Sequence, residues 1–160
     1  MADGIKIGGL ETYADFLTNG LRFTVINGGL QSIASFVGAD DDIPLATGMD
    51  PGAWRASYRD ISLHGIVVGT GSTAQATRES FRTRSALLIA EMDPATLVSV
   101  VVYPPHFGLG TNDTATLSDC RPLSIDGPDP SQLAWYEVWE VTLHLRCIDS
   151  PPNWVIVEGS

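Results

Sequence analysis

Glycine and proline divide this chain into many short apolar segments, and this punctuation constrains its fold more than any other feature. The 160 residues include 16 glycines and 10 prolines, and the longest uninterrupted apolar runs are only as long as a β-strand. Frequent turns between short apolar runs are typical of a β-rich domain. The sequence therefore predicts an α+β, mainly β fold whose strands form a β-sandwich or a barrel-like core.

One segment lacks this punctuation and predicts a helix. Between Ser72 and Met92 there is no glycine or proline. Apolar or small side chains recur there at steps of three or four residues, at Ala74, Thr77, Phe81, Ser85, Leu88 and Met92. This period places them on one face of a helix. We expect one packed helix over about residues 72–92, capped by Thr70 or Ser72 and closed by Pro94.

Alternation of apolar and polar residues predicts strands on both sides of this helix. Leu21–Ile26, Arg59–Val68 and Trp135–Cys147 alternate in this way, as half-buried strands do. Gly65 lies inside the second of them and indicates either a bulge or the close approach of another backbone. Further strands are expected within Leu97–Tyr103, Thr114–Leu123 and Trp154–Val157.

Residues 27–58 fall outside the regular pattern. They include the acidic run Asp40–Asp42 and an aromatic stretch between turn residues. Loops this long in a compact domain usually carry function or become ordered by a partner. We therefore expect a single domain over residues 1–160, from which residues 27–58 extend as a loop or arm region used in assembly.

The charge of the chain argues against several classes of partner. Nineteen acidic residues against nine lysines and arginines give a formal net charge of −10. Such a surface repels polyphosphate and anionic lipid, so we expect no specific nucleic-acid binding. No apolar run approaches the roughly 20 residues that cross a bilayer, and no secretory signal is recognisable at the N-terminus. We expect no membrane insertion.

Motifs for catalysis and for metal binding are missing from the sequence. His64, His106 and His144 are too far apart to form a metal-binding motif, and no nucleophile elbow, phosphate loop or dinucleotide fingerprint occurs. Cys120 and Cys147 fit neither a metal site nor a disulfide framework. We expect both cysteines to be reduced and packed in the core rather than bridged. We expect no enzymatic activity, no cofactor and no metal.

Aromatic and arginine side chains give the candidate interface residues. They are Trp54, Arg55, Tyr58, Arg59 and Trp154. These residue types concentrate binding energy at protein interfaces. The alternative for each tryptophan is that it packs in the core beneath a loop.

Several segments, taken in order, resemble a known family. They are Asp50–Trp54, Tyr58–Gly69, the helix end Arg84–Leu88, the closing strand Val141–Cys147 and an acid–proline corner at Asp149–Pro152 that Trp154 follows. This series resembles the N-terminal, ring-forming domain of the distal tail proteins of long-tailed, siphovirus-like bacteriophages. The resemblance covers residues 50–154, about two thirds of the chain.

The resemblance implies a structural virion protein that forms a hexameric ring at the distal end of a phage tail. This ring would join the tail tube to the tail-tip hub and line the DNA channel. The implied partners are further copies of the chain, a tail-tube protein and a hub protein, and the implied location is the virion tail, assembled in the host cytoplasm. Two other classes stay open: a tail-tube or connector subunit of a phage tail or related injection machine, and a carbohydrate-binding β-sandwich.

Overall fold

The computed structural model describes residues 4–11, 20–30, 35–37, 41–42, 49–50, 55–104, 106–130, 138–149 and 151–159. Within them the chain forms eleven strands and one α-helix. In chain order these are β1 (Gly4–Ile7), β2 (Leu10–Glu11), β3 (Leu21–Asn27), β4 (Ser35–Val37), β5 (Asp41–Asp42), β6 (Met49–Asp50), β7 (Arg55–Val68), α1 (Ala74–Glu91), β8 (Val98–Tyr103), β9 (Thr114–Asp126), β10 (Val138–Cys147) and β11 (Val155–Val157).

Nine of these strands form one antiparallel sheet. Seven run in the order β2-β1-β8-β9-β10-β7-β3, while β11 pairs with β9 and β4 pairs with β7. Strands β1 and β3 lie near opposite ends of this order, yet they approach each other without pairing. The sheet is therefore open but curled. The predicted α+β, mainly β class is confirmed, and the curled single sheet is closer to the barrel-like alternative than to a sandwich.

The centre of the sheet is the long antiparallel pair of β7 and β10. Their register runs without interruption from Val138 opposite Val68 to Cys147 opposite Arg59. Every second residue of β10 is buried, namely Trp139, Val141, Leu143, Leu145 and Cys147, as the alternation predicted. The residues between them lie on the other face, which is partly exposed. One face of this pair thus forms the hydrophobic core, and the other is polar.

Gly65 marks a close approach of backbones and not a bulge. The pairing of β7 continues through Gly65 on both sides, to Val141 of β10 and to Phe23 of β3. A Cβ at this position would overlap the carbonyl oxygen of Arg22 and lie 2.6 Å from Cδ1 of Phe23. Of the two alternatives that the sequence left open, the structure therefore selects the second.

Strand β7 is longer than predicted, and residues 27–58 are described only in part. β7 begins at Arg55 instead of Arg59, because its first residues pair with β4. In addition, β5 and β6 form a separate two-stranded ribbon, with Asp41 opposite Asp50. The remaining residues of the predicted arm after Leu30 lie outside the described residues, so its role in assembly stays a prediction.

Helix α1 buries the predicted face, but its N-cap lies one residue after Ser72 and three residues after Thr70, the two predicted caps. Its buried residues are Thr77, Phe81, Ser85 and Leu88. The N-cap is Thr73, whose side-chain oxygen accepts a hydrogen bond from the Ala76 N–H at 3.1 Å. Thr70 was a wrong prediction, because it lies three residues before the observed cap, and its N–H bonds to Ser80 Oγ at 2.7 Å. Ser72 was wrong as well, because the extended residue before the helix is Thr73.

Ser85 offers a test of the packing between α1 and the sheet. Its hydroxyl is buried, and it has no hydrogen-bond partner among the described residues. Because an unsatisfied buried hydroxyl is unfavourable and alanine favours helices, Ser85→Ala is expected to raise the free energy of unfolding by about 1 kcal/mol. Urea unfolding followed by circular dichroism measures the change.

Ser80→Ala is the matched control on the same helix. The Ser80 hydroxyl accepts from the Thr70 N–H and donates to the Thr77 carbonyl at 2.9 Å. This variant is therefore expected to be less stable than the wild type. A Ser85→Ala variant that loses stability like Ser80→Ala would show that the Ser85 hydroxyl is satisfied.

Candidate assembly surfaces

The structure describes the side chains of three of the five candidate interface residues, and these three do not lie on one surface. Trp54 lies outside the described residues, and Arg55 is described only as the first position of β7. Tyr58 and Arg59 are neighbours in β7, so their side chains leave opposite faces of the sheet. Arg59 is accordingly buried, while Tyr58 is half-buried on the polar face. Trp154 is half-buried and lies just before β11.

Arg59 holds two loops together inside the protein. Its side chain is 7% exposed. Nε donates to the Pro152 carbonyl at 2.8 Å, one terminal nitrogen donates to the Gly29 carbonyl at 3.3 Å, and the other donates to Asn153 Oδ1 at 3.4 Å. A buried guanidinium needs such acceptors because its charge cannot be removed. Arg59 thus ties the segment after β3 to the segment that follows β10.

Trp154 strengthens the same connection. Its indole N–H donates to the Gly28 carbonyl at 2.9 Å. Its ring meets the edge of Phe107, with centroids 5.1 Å apart and planes at 84°, a favourable aromatic arrangement. We call the group Gly28, Gly29, Arg59, Phe107 and Pro152–Trp154 the loop junction. Arg59 and Trp154 therefore have an internal packing role, and their predicted contact with a partner remains a prediction.

Tyr58 belongs to a charged group on the polar face. The guanidinium of Arg146 lies 4.0 Å above the centre of the Tyr58 ring. It also forms two hydrogen bonds with Asp60, of 2.7 and 3.0 Å. The hydrogen bond with Asp60 raises the pKa of Arg146 above its usual value. These cation–π and ion-pair contacts hold the polar face together where β7 and β10 meet.

Two histidines lie between a hydroxyl and a carboxylate on the same polar face. His144 Nδ1 is 3.0 Å from Ser62 Oγ, and His144 Nε2 is 2.7 Å from Asp126 Oδ2. His64 Nδ1 is 3.2 Å from Thr142 Oγ1, and His64 Nε2 is 3.0 Å from Glu140 Oε1. A carboxylate only accepts hydrogen bonds, so each Nε2 carries the proton and, in the neutral ring, each Nδ1 accepts from the hydroxyl.

The hydroxyl–imidazole–carboxylate order is the one that activates a nucleophile in serine hydrolases. Here, however, Ser62 lies mid-strand in β7, between β3 and β10. The contacts instead fix the two imidazoles across the strand pair. Among the described residues, no three His, Cys, Asp or Glu side chains are grouped to hold a metal ion.

The alternation of β10 predicts that His144 lies on the polar face, but it does not reveal the hydrogen-bond partners of His144. Asp126, Ser62 and His144 come from three different strands. Which of them meet depends on strand register, and alternation alone does not reveal register.

The described part of the chain also contains no helix with the length and apolar character needed to span a membrane.

Strand β11 is an exposed apolar edge. Val155, Ile156 and Val157 are 58%, 51% and 54% exposed. They pair with Thr114–Thr116 of β9 on one side, and no described strand pairs with the other side. Proteins commonly protect such edges with charged residues, proline or bulges. No charged residue occurs in residues 151–157, although Pro151 and Pro152 lie shortly before the strand. Among the described residues, β11 therefore has one unpaired edge that carries no charge.

Comparison with known structures identifies the fold. The chain is similar to the crystal structure of the SPP1 Dit protein, described as a paradigm of the hub adsorption apparatus in phages that infect Gram-positive hosts. The alignment covers 91% of this chain at 19% sequence identity, with a TM-score of 0.50. The chain has the fold of a distal tail protein. It spans half of the length of SPP1 Dit.

Single chains from two assemblies of contractile injection systems are also similar, with lower TM-scores than SPP1 Dit. One is the sheath–tube complex of the extracellular system PVC in its extended state, 13% identical over 98% of this chain and 87% of the other, with a TM-score of 0.40. The other is the baseplate of the anti-feeding prophage, 13% identical over 98% and 94%, with a TM-score of 0.37. No protein-family model and no curated protein sequence matches the chain.

Proposed function

We propose that this protein is a structural component of a phage tail, in which it forms a hexameric ring that joins the tail tube to the tail-tip hub and surrounds the DNA channel. The observation that carries the proposal is the correspondence of 91% of the chain to SPP1 Dit. The role is mechanical and not catalytic. The expected partners are copies of the chain, a tail-tube protein and a hub protein.

A closed ring needs two different surfaces on each subunit that fit one another. We place β11 on one of them, against the next copy of the chain. Its unpaired backbone groups and its three exposed aliphatic side chains suit an antiparallel or parallel extension of the sheet. Two copies that each carry a net charge of −10 repel one another. Contact is easiest at a segment without charge, and residues 151–157 are such a segment.

The acidity of the chain suits a channel that DNA must pass without binding. In the ring, six copies would bring together six net charges of −10. Acidic groups on the channel wall repel the phosphate backbone and keep its affinity for the wall low. The polar face of β7 and β10 contributes Asp60 and Glu140 to this acidity, and Asp60 is paired with Arg146.

Ile156→Asp tests the place of β11 in the ring. A carboxylate at this edge introduces charge repulsion between copies and removes an apolar contact. We expect the dissociation constant between copies to rise by about tenfold or more, which corresponds to about 1.4 kcal/mol. Because Ile156 is exposed, the melting temperature of the isolated chain should stay unchanged. Sedimentation velocity over a range of concentrations measures the isolated chain and its oligomers, and thermal unfolding measures the melting temperature.

Leu87→Asp is the matched control. Leu87 is 50% exposed and lies on α1, away from the edge. The substitution makes the same change of charge and polarity, and self-association should be unaffected. If both variants assemble like the wild type, β11 is not the contact. If Leu87→Asp alone prevents assembly, the contact lies on the helix instead.

A further inference from the structure

Cys120 and Cys147 lie directly opposite one another on neighbouring strands. They are register partners in the antiparallel pair of β9 and β10. Both are free and buried, as expected from the sequence. Opposite residues in such a pair have Cα atoms about 4.5–5.5 Å apart. This separation falls within the range of about 4.4–6.8 Å that disulfides span, so a bridge needs no large backbone movement.

An irregularity in β9 shapes the surroundings of the two thiols. Val98 of β8 faces Cys120, whereas Val100 faces Leu117, so β9 carries one extra residue at this point. Asp119 within this bulge has a positive φ of 49°. Next to Asp119, the Ser118 carbonyl points toward the cysteines and accepts a hydrogen bond from Cys147 Sγ at 3.0 Å. Cys120 Sγ lies 3.5 Å from the Leu117 carbonyl and 3.7 Å from the Ser118 carbonyl, so these polar contacts of the thiols are local.

We propose that Cys120 and Cys147 are a redox-responsive pair, which a small disulfide such as oxidised glutathione converts into a cross-strand disulfide between β9 and β10. Cys147 is the last residue of β10, and the next residue, Ile148, is 43% exposed. Opening of the strand end therefore brings the oxidant to Cys147 first. The hydrogen bond between the two thiols lowers the pKa of Cys147 and raises that of Cys120, which favours the same order of attack.

The reaction balances without any group from the protein other than these thiols. Cys147 loses its proton, and its thiolate attacks one sulfur of the small disulfide, so that the S–S bond breaks and one thiolate leaves. Cys120 then loses its proton and attacks Cys147 Sγ, which expels the second thiolate. Both cysteines are oxidised by one electron each, the small disulfide is reduced to two thiols, and the two protons pass to those thiols.

The use of this pair in a virion rests on the proposed function, whereas the chemistry does not. A tail protein is made in a reducing cytoplasm and later meets an oxidising exterior. Closure of the bridge after release would link β9 to β10 at the last paired residue of β10, next to the bulge in the pairing of β9 with β8. The particle would then be more stable outside the cell than during assembly.

The test uses the isolated full chain in its folded state, and so it does not depend on ring formation. The chain is incubated with excess oxidised glutathione without denaturant, alkylated and weighed by mass spectrometry. We expect an intramolecular bridge, seen as the loss of two hydrogens and protection of both cysteines from alkylation. We also expect the melting temperature to rise by at least about 5 °C and to fall back on reduction.

Cys120→Ala is the control, because it should stop at the mixed disulfide with glutathione on Cys147. The proposal is wrong if the folded wild-type chain stays reduced while the urea-unfolded chain oxidises. It is also wrong if the wild type accumulates the mixed disulfide, or if the bridge lowers the melting temperature. None of these results would bear on the ring, which is tested by sedimentation.

Discussion

Gly65→Ala is expected to lower the free energy of unfolding by about 3 kcal/mol or more, or to prevent folding. Gly65 is buried at the centre of the sheet, between β10 and β3. The added Cβ would overlap the Arg22 carbonyl oxygen and lie 2.6 and 2.8 Å from two ring carbons of Phe23. To relieve this overlap, the β3 backbone must move and lose its pairing with β7. This costs more free energy than ordinary overpacking of a core side chain. Urea unfolding and the yield of soluble protein measure the effect.

Gly29→Ala is the matched control for this substitution. Among the described residues, a Cβ at Gly29 would meet the Phe107 ring, at 3.4 Å, which is an ordinary contact. Its backbone angle is not in the positive region. The change in free energy should stay within about 1 kcal/mol. Equal stability of the two variants would show that β3 does not approach β7 as closely as described.

Arg59→Met is expected to lower the free energy of unfolding by about 3 kcal/mol. Methionine retains most of the length and apolar contact of the arginine stem, but it donates no hydrogen bonds. The carbonyls of Pro152 and Gly29 would then lose a charged donor, and Asn153 would lose a weaker one. Hydrogen bonds with charged groups contribute about 1.5–3 kcal/mol each, and buried acceptors left without partners add to the loss.

In Arg59→Met, the stability should fall locally at the loop junction as well as for the whole fold. Hydrogen exchange should accelerate first at the backbone amides of residues 28–30 and of Asn153 and Trp154, because Arg59 and Trp154 fasten these segments together. Arg22→Met, at an exposed position of β3, is the control and should change stability by less than about 0.5 kcal/mol. A similar small change in Arg59→Met would mean that the loop junction contributes little to the fold.

The elements with a strong repeat could be predicted from the sequence. The alternation of β10 is strict from Trp139 to Cys147, and the register with β7 confirms which face is buried. The helix could be predicted because Thr77, Phe81 and Leu88 recur at helical steps in a segment without glycine or proline. In both cases a single physical cause, burial of one face, determines the pattern.

Features that depend on contacts between distant segments could not be predicted. Ser62 and His144 meet across 82 positions, and Trp154 reaches Gly28 across 126. The sequence gives no register, so the opposite placement of Cys120 and Cys147 was also hidden. Arg59 was predicted to lie at an interface because arginine is frequent there. Carbonyls of its own chain accept hydrogen bonds from its guanidinium, and its contact with a partner stays a prediction.

Electron microscopy of the purified chain tests the central claim most directly. If the protein is the ring of a distal tail, images should show closed rings of six copies that stop at one or two layers, since each subunit completes the contacts of its neighbours. Long cylinders would indicate a tail-tube subunit instead. A protein that stays monomeric at every concentration, with or without its tail partners, would contradict the account.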